Sequence, residues 1–424
     1  MLKLGLIVAA VCAACAVSGV DAGEAELVPA KLFVGRGGLG NVFAKLKGDG
    51  AVKVAYFGGS ITAQAGWRVK TLKWFRETWP GAKVDEINAA IGGTGSDLGA
   101  FRCRQDVIVH KPDLVFVEFA VNDGGAAPEH IYRTMEGIVR QIWTADAECD
   151  ICFVYTIHQN MMKDYERGLC SRSASAMERL ADHYGIPSIT MALRVAQLRK
   201  EDKLVFSVPR GQKPPEGKIG FSNDSCHPTD AGHEVFLEVI VQALKEFQKH
   251  GAVGPHKLPE PYRKDNWANA RMVPIAASML TDGWAKLPKD KGLGKRFARR
   301  LPEIWEARKP GEKLTFRFKG TMARLYDLLG PDGGIAICSV DGKEVRRSKR
   351  FDWYCTYHRL ASLTVAGGLE AKEHTVVVEV SPDEPDREVV LKRVRDQANF
   401  DPKRYQGTVL RFGYIMVLGE LVGK

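Results

Sequence analysis

The 424-residue sequence has no polar low-complexity tract, no internal repeat and no collagen-like or coiled-coil pattern. Its clearest apolar run, Leu4 to Val17, falls short of the ~20 residues that a bilayer-spanning helix requires. These absences exclude a disordered, fibrous or multispan membrane protein. What is present is a composition of 45% hydrophobic and 26% charged residues, enough for a large core and, at this length, for roughly two or three domains.

Charge is unevenly placed. The chain carries 61 Lys+Arg against 51 Asp+Glu, a net +10. Residues 1–250 hold 29 basic and 29 acidic side chains, residues 251–350 hold 22 and 11, and residues 351–424 hold 10 and 11. The whole excess therefore lies in 251–350. A local block of this kind is either an interaction surface or a solvated face.

Residues 1–22 read as an export signal: Lys3, the apolar run, then Val20-Asp21-Ala22 ahead of cleavage before Gly23. The expectation is a periplasmic or secreted protein, with no membrane-spanning segment after signal removal. Lipid attachment at Cys15 is the lesser alternative, because Cys12-Ala13-Ala14 is a poor lipoprotein context. Of nine cysteines, seven would remain: Cys103, Cys149, Cys152, Cys170, Cys226, Cys338 and Cys355. Export permits disulfides, and an odd number leaves at least one thiol free. Cys149 and Cys152 form a CxxC with no second CxxC and no nearby His, so buried thiols or a local bridge are a plainer reading than zinc.

From about residue 52 to 250, short apolar runs alternate with helical periods. Val52 to Phe57, Val84 to Ala90, Leu114 to Val121, Ile151 to Ile157 and Ile186 to Met191 read as strands covered on both faces. Gly66 to Trp79, Glu129 to Trp143, Arg172 to Tyr184 and Ala231 to Lys249 read as helices between them. The alternation predicts a parallel sheet with helices on both sides, whose ligands collect outside the carboxyl ends of the strands. The Gly- and Pro-rich stretch 251–262 reads as a linker. Beyond it, Leu314 to Phe318, Ala323 to Leu328, Ile335 to Val340, Ala361 to Val365, Thr375 to Val380 and Tyr414 to Val417 are short, turn-bounded runs, which predicts an antiparallel β-sandwich over 263–424. The organisation expected is signal 1–22, α/β domain 23–250, linker 251–262 and all-β domain 263–424.

Four segments set polar groups at strand ends. In Tyr56-Phe-Gly-Gly-Ser60-Ile-Thr62 a serine follows two glycines directly off a buried strand; Ser after Gly is also common in ordinary loops. Asn88-Ala-Ala-Ile-Gly-Gly93-Thr-Gly-Ser96 has glycines that let a backbone N–H approach a ligand, or that simply turn the chain into a helix. Phe116-Val-Glu-Phe-Ala-Val-Asn122-Asp123 ends a buried strand at an amide able to donate to an oxyanion, or to close an Asx turn. In Asp224-Ser-Cys-His227-Pro, a carboxylate three residues before an imidazole can bond one ring nitrogen while the other faces a site, as a general base requires. Asp230 and His233 share that spacing, but His233 falls in a helix opening, where packing or capping is commoner, and His227 is favoured.

In this order the four segments resemble the SGNH/GDSL hydrolase family of serine esterases over about residues 50–250. The resemblance implies a three-layer α/β/α, flavodoxin-like domain in which Ser60 attacks an ester carbonyl, His227 moves the proton and Asp224 orients the imidazole. It also implies an oxyanion hole made by the N–H groups of Ser60 and Gly93 and the amide of Asn122. Gln64, Arg68 and Arg102, close to these segments, are candidate substrate contacts. The first segment reads GGSI in place of GDSL, so Gly59 stands where the family has Asp. An ordinary α/β-hydrolase elbow would need Gly at Thr62. Gly35-Arg-Gly37-Gly-Leu-Gly40 matches GxGxxG but has no acid about twenty residues on for a ribose. Glu118, inside a buried strand, is expected to pair with Arg68 or Arg102.

An exported esterase with an attached sandwich, jelly-roll-like domain resembles carbohydrate esterases. That implies removal of O-acetyl or other short acyl groups from a polysaccharide, with a lipid or aryl esterase and a glycan-binding protein with an idle hydrolase domain as alternatives. The basic block, Lys286, Lys289, Lys291, Lys295, Arg296, Arg299 and Arg300 ahead of Trp305 and Arg308, either meets an anionic glycan or is a solvated face. No metal, cofactor or nucleic-acid partner is expected.

Overall fold

The computed structural model describes residues 27–423 apart from 396 and 399; the segment expected to be an export signal, with Cys12 and Cys15, lies outside the described residues. The first sheet comprises β1 (Phe33–Val34), β2 (Ala51–Gly58), β3 (Lys83–Asn88), β4 (Leu114–Glu118), β5 (Asp150–Val154) and β6 (Ser188–Ile189), in the order β1-β6-β5-β4-β2-β3. All neighbouring pairs are parallel except β1 with β6. Every residue of β4 and β5 is buried, as a two-sided cover demands. The sequence direction reverses between β2 and β4, the crevice where ligands of open α/β sheets bind.

The intervening helices are α1 (Gly40–Lys47), α2 (Ser60–Ala63), α3 (Trp67–Thr78), α4 (Ser96–Asp106), α5 (Pro128–Ala145), α6 (Met162–Glu166), α7 (Arg172–Tyr184), α8 (Met191–Lys200) and α9 (Asp230–Phe247). Local chemistry sets their ends. Pro128 opens α5, Ser171 caps α7 through the N–H of Ala174, Gly185 closes α7 with φ +68°, and Thr229 caps α9 through Gly232. Helices α3 and α8 pack on α9, while α4 and α7 pack on α5, giving a layer on each side of the sheet. A parallel pair, β7 (Leu204–Ser207) and β8 (Ile219–Ser222), leads into α9. The strand expected at Ile186 to Met191 is only two residues long, because Met191 already starts α8.

The GxGxxG segment serves packing. A Cβ on Gly38 would lie 2.6 Å from the His250 carbonyl oxygen, and one on Gly40 would lie 2.3 Å from that of Ala252. These glycines let the chain cross the stretch read as a linker, which is laced onto the first domain. Asn41 exchanges hydrogen bonds with the backbone of Gly254, and His256 meets Asp150 at 2.8 Å while stacking on Trp143. The backbone N–H groups of Tyr262 and Arg263 both donate to Glu136.

Beyond it lies an antiparallel all-β region: β9 (Ala270–Pro274), β10 (Trp284–Lys286), β11 (Trp305–Ala307), β12 (Lys313–Leu329), β13 (Ile335–Val340), β14 (Lys343–Lys349), β15 (Arg359–Val380) and β16 (Leu410–Leu421), with short helices α10 (Gly292–Phe297) and α11 (Glu388–Val394). All eight strands join one hydrogen-bonded sheet. Two pairs of expected strands are single long ones: 314–318 with 323–328 form β12, and 361–365 with 375–380 form β15. The break read at Gly320 is a register shift between Gly320 and Met322. Across it the core-facing positions change from Leu314, Phe316 and Phe318 to Ala323 and Leu325, all in one apolar cluster, so the bulge bends the sheet around its own core.

The two domains share apolar surface. Trp267, Met272, Leu301, Tyr326, Leu328, Tyr414 and Met416 belong to the same buried cluster as the first domain's core. The seven described cysteines are free thiols, Cys149 and Cys152 among them, and no described helix is long and apolar enough to cross a membrane. Trp267 packs its ring on Phe101 with centroids 5.4 Å apart and its backbone over Gly137. Trp267→Ala is expected to cost about 3–5 kcal/mol, read as a lower urea midpoint at unchanged slope.

Candidate active site

Strands β2, β3 and β4 each end at a segment singled out in the sequence, and the topology brings those ends together. Ser60 opens α2 directly beyond β2, so its backbone N–H sits in a first turn that has no intrahelical acceptor. Its Oγ lies 2.8 Å from His227 Nε2, and His227 Nδ1 lies 2.7 Å from Asp224 Oδ2. An Nδ1–H donating to Asp224 leaves Nε2 free to accept from the serine hydroxyl. Asp224 Oδ1 also accepts the backbone N–H groups of Cys226 and His227 at 3.0 and 2.8 Å. Burial pushes the Asp224 carboxyl up, but its hydrogen bonds from His227 and Cys226 and the nearby imidazole charge outweigh that and hold it well below the usual carboxylate range. The turn that aims those donors is closed by Ser225 in the left-handed region, φ +68°.

The candidate oxyanion groups surround this line. Gly92 sits against the serine, since a Cβ there would lie 3.5 Å from Ser60 Cβ. Gly93 has φ +72° and open space where its Cβ would be. A Cβ on Gly59 would lie 1.9 Å from Asn122 Oδ1. The Asn122 amide therefore occupies the space of any side chain at position 59, which accounts for glycine where the family pattern has Asp.

Glu118 is fully buried beneath the turn and has no cationic partner among the described residues, contrary to the expected pairing with Arg68 or Arg102. Its carboxylate accepts from Thr62 Oγ1 at 2.8 Å, from Thr156 Oγ1 at 2.7 Å and from the backbone N–H of Gly59. Hydroxyls and a main-chain N–H replace a guanidinium, and burial raises its pKa. Arg68 and Arg102, the candidate partners, are buried braces. Arg68 pairs with Glu86 and donates to the Thr62 carbonyl; Arg102 pairs with Asp106 and donates to the carbonyls of Ala89 and Gly58. Gln64, at the end of α2, has a buried Oε1 with no partner.

The competing Asp230/His233 pair is not assembled. Asp230 pairs with Lys70, and His233 Nδ1 accepts from the backbone N–H of Trp67 at 3.2 Å. Burial first, then Lys70, pushes His233 down to about 4, so it stays a neutral acceptor holding the start of α3.

Three arginines reach the glycine segment from the second domain: Arg299 and Arg300 of the basic block, and Arg324, which the sequence did not single out. Arg299 donates to the Asn88 carbonyl and Arg300 to that of Ala90, while Arg324 pairs with Asp97 at 2.8 Å in the first turn of α4. Part of the basic block therefore clamps the glycine segment. Its lysines are partly used as well, since Lys286 and Lys289 pair with Glu303.

A serine, an imidazole and a carboxylate stand in line at the switch point of a flavodoxin-like sheet, the arrangement that serine hydrolases use. Residues 56–235 match the model of the GDSL-like lipase/acylhydrolase family. Over nearly the whole chain the fold is similar to that of a two-domain esterase (CEX) active on acetylated mannans. In its structure with mannopentaose the TM-score is 0.71 at 21% identity, covering 92% of this chain and 98% of that one. A second structure of that esterase matches at TM-score 0.71 and 21% identity, covering 92% and 97%. At this identity the likeness is one of fold. No curated protein matches the chain.

Asp123, next to Asn122, accepts from the N–H of Ser96 at 3.0 Å and so ties the asparagine segment to the glycine segment. Burial pushes its carboxyl up to about 7. The folded state thus keeps a proton that the unfolded chain releases near pH ~4, a contribution to stability that is lost as pH rises through 7. Asp123→Asn is expected to flatten the fall in melting temperature between about pH 4 and about 7, measured against wild type in parallel thermal scans.

Proposed function

We propose that this chain is an exported serine esterase that removes O-acetyl or other short acyl groups from a carbohydrate. The observation that carries the reading is the continuous line from Ser60 Oγ to His227 Nε2, at 2.8 Å, and from His227 Nδ1 to Asp224 Oδ2, at 2.7 Å. Ser60 attacks the acyl carbonyl as its proton passes to Nε2, and Asp224, held ionised, stabilises the imidazolium. The N–H groups of Ser60 and Gly93 and the Asn122 amide receive the oxyanion. The imidazolium then protonates the departing sugar hydroxyl, leaving an acyl-serine. His227 next deprotonates a water that attacks the acyl group, and it returns the proton to Ser60 as the carboxylic acid leaves.

The carbohydrate part of the reading is supported by a fold shared along 92% of the chain with an esterase active on acetylated mannans. It is also supported by the position of the second domain, whose Arg299, Arg300 and Arg324 reach the segment beside Ser60. Export is supported by the sequence pattern at residues 1–22.

Ser60→Ala is expected to lower hydrolysis of an aryl acetate by about 10⁴-fold or more, and retention of full activity would remove the serine mechanism. Acetate release from a panel of acetylated neutral and uronic polysaccharides tests the substrate class; faster turnover of long-chain acyl esters than of acetate would favour a lipid esterase instead. Gly59→Ala must displace Asn122 and is expected to lower kcat by about 10²-fold with little change in KM, as loss of one oxyanion donor does.

A further inference from the structure

Between the domains lies a cavity of about 440 Å³, bordered by Asn88 and Ile91 of the glycine segment and by Arg102, Arg299, Arg300 and Tyr326. That volume falls within the range of small-molecule sites. Its charges do not balance. Of the two acids on its wall, Glu86 is taken by Arg68, and Asp106 alone faces both Arg102 and Arg300, with Arg300 at 3.2 Å. Arg299 has no carboxylate partner among the described ion pairs and donates only to the Asn88 carbonyl. Burial holds Arg300 below its ordinary pKa, with Arg102 and Arg299 adding repulsion, and Arg299 acts on Arg68 in the same sense. Crowded guanidiniums of this kind attract an anion.

Unpartnered donors are also left over. Tyr326 is 2% exposed and its hydroxyl has no partner, and the same is true of Nε on Arg102, which is 1% exposed. Buried donors without acceptors are uncommon and point to a group absent from the protein itself. A planar anion with two oxygens suits adjacent guanidinium forks and a phenolic O–H.

We propose that this interdomain cavity is a binding site for a small organic carboxylate. It is separate from the Ser60 line, and two sources share the chemistry: a uronate residue of an acidic glycan, or the free carboxylate that ester hydrolysis releases. The site bears on the glycine segment, because Arg299 and Arg300 hold the Asn88 and Ala90 carbonyls while the next N–H, that of Ile91, donates to the Gly58 carbonyl two residues before Ser60.

The test titrates sodium glucuronate, sodium acetate and neutral glucose calorimetrically into the full chain carrying Ser60→Ala, so that binding is read without turnover. Saturable one-to-one binding of a carboxylate, none of glucose, and weakening with added salt are expected. Adding Arg299→Gln and Tyr326→Phe is expected to weaken the carboxylate by roughly tenfold or more. Tyr326→Phe alone serves if circular dichroism finds the triple variant unfolded. Glucuronate binding above acetate assigns the glycan source, and equal binding assigns the released acid; both support the site. No saturable carboxylate binding up to about 20 mM, or equal affinity in the variants, overturns it. Aryl acetate turnover by wild type is measured separately, so failure of the carboxylate site and failure of the esterase reading give different results.

Discussion

The candidate site depends on a carboxylate buried without a countercharge. Glu118, at the end of the central strand β4, accepts from Thr62 in the serine turn, from Thr156 beyond β5 and from the backbone N–H of Gly59. Two segments far apart in sequence, the serine turn at 59–62 and the chain beyond β5 at Thr156, are thereby set against one group on a third. In a low-dielectric interior these hydrogen bonds are strong, and leaving any of them unmade is costly, so the turn carrying Ser60 is confined to one place. The serine can then meet an imidazole delivered from a loop 167 positions further on.

Around this point the site is braced from outside. Arg102 holds the carbonyls of Gly58 and Ala89, and Arg299, Arg300 and Arg324 hold Asn88, Ala90 and Asp97 from the second domain. The all-β domain is thus part of the architecture of the glycine segment. The charge excess of residues 251–350 has, for Arg299 and Arg300, a structural explanation: their guanidiniums satisfy backbone carbonyls of the glycine segment.

Much of this was legible in advance. The alternation of apolar runs and helical periods predicts the order of β2 to β5 with their helices, because strands buried on both faces must be apolar throughout. The Asp224 to His227 spacing and the glycine turn before Ser60 mark the groups that the structure brings into line, since both lie in turns at strand ends. The partners of Glu118, Arg68 and Arg102 were not legible. Each is satisfied by hydroxyls, main-chain groups or an acid brought near by folding, and a charge in a buried strand does not disclose which. The joining of the short runs into β12 and β15 was hidden for a related reason: a glycine inside a bulged strand looks, in sequence, like a glycine in a turn.

The sequence by itself determined the two-part architecture, the segments at the strand ends and the residues able to act there, because periodicity and spacing are local properties. Only the tertiary structure decided that Asn122 fills the space beside Gly59, that His227 and not His233 meets Ser60, and that three arginines of the second domain grip the first. Those outcomes rest on which groups are left to satisfy one another once water is excluded, and that is settled by packing across the whole chain.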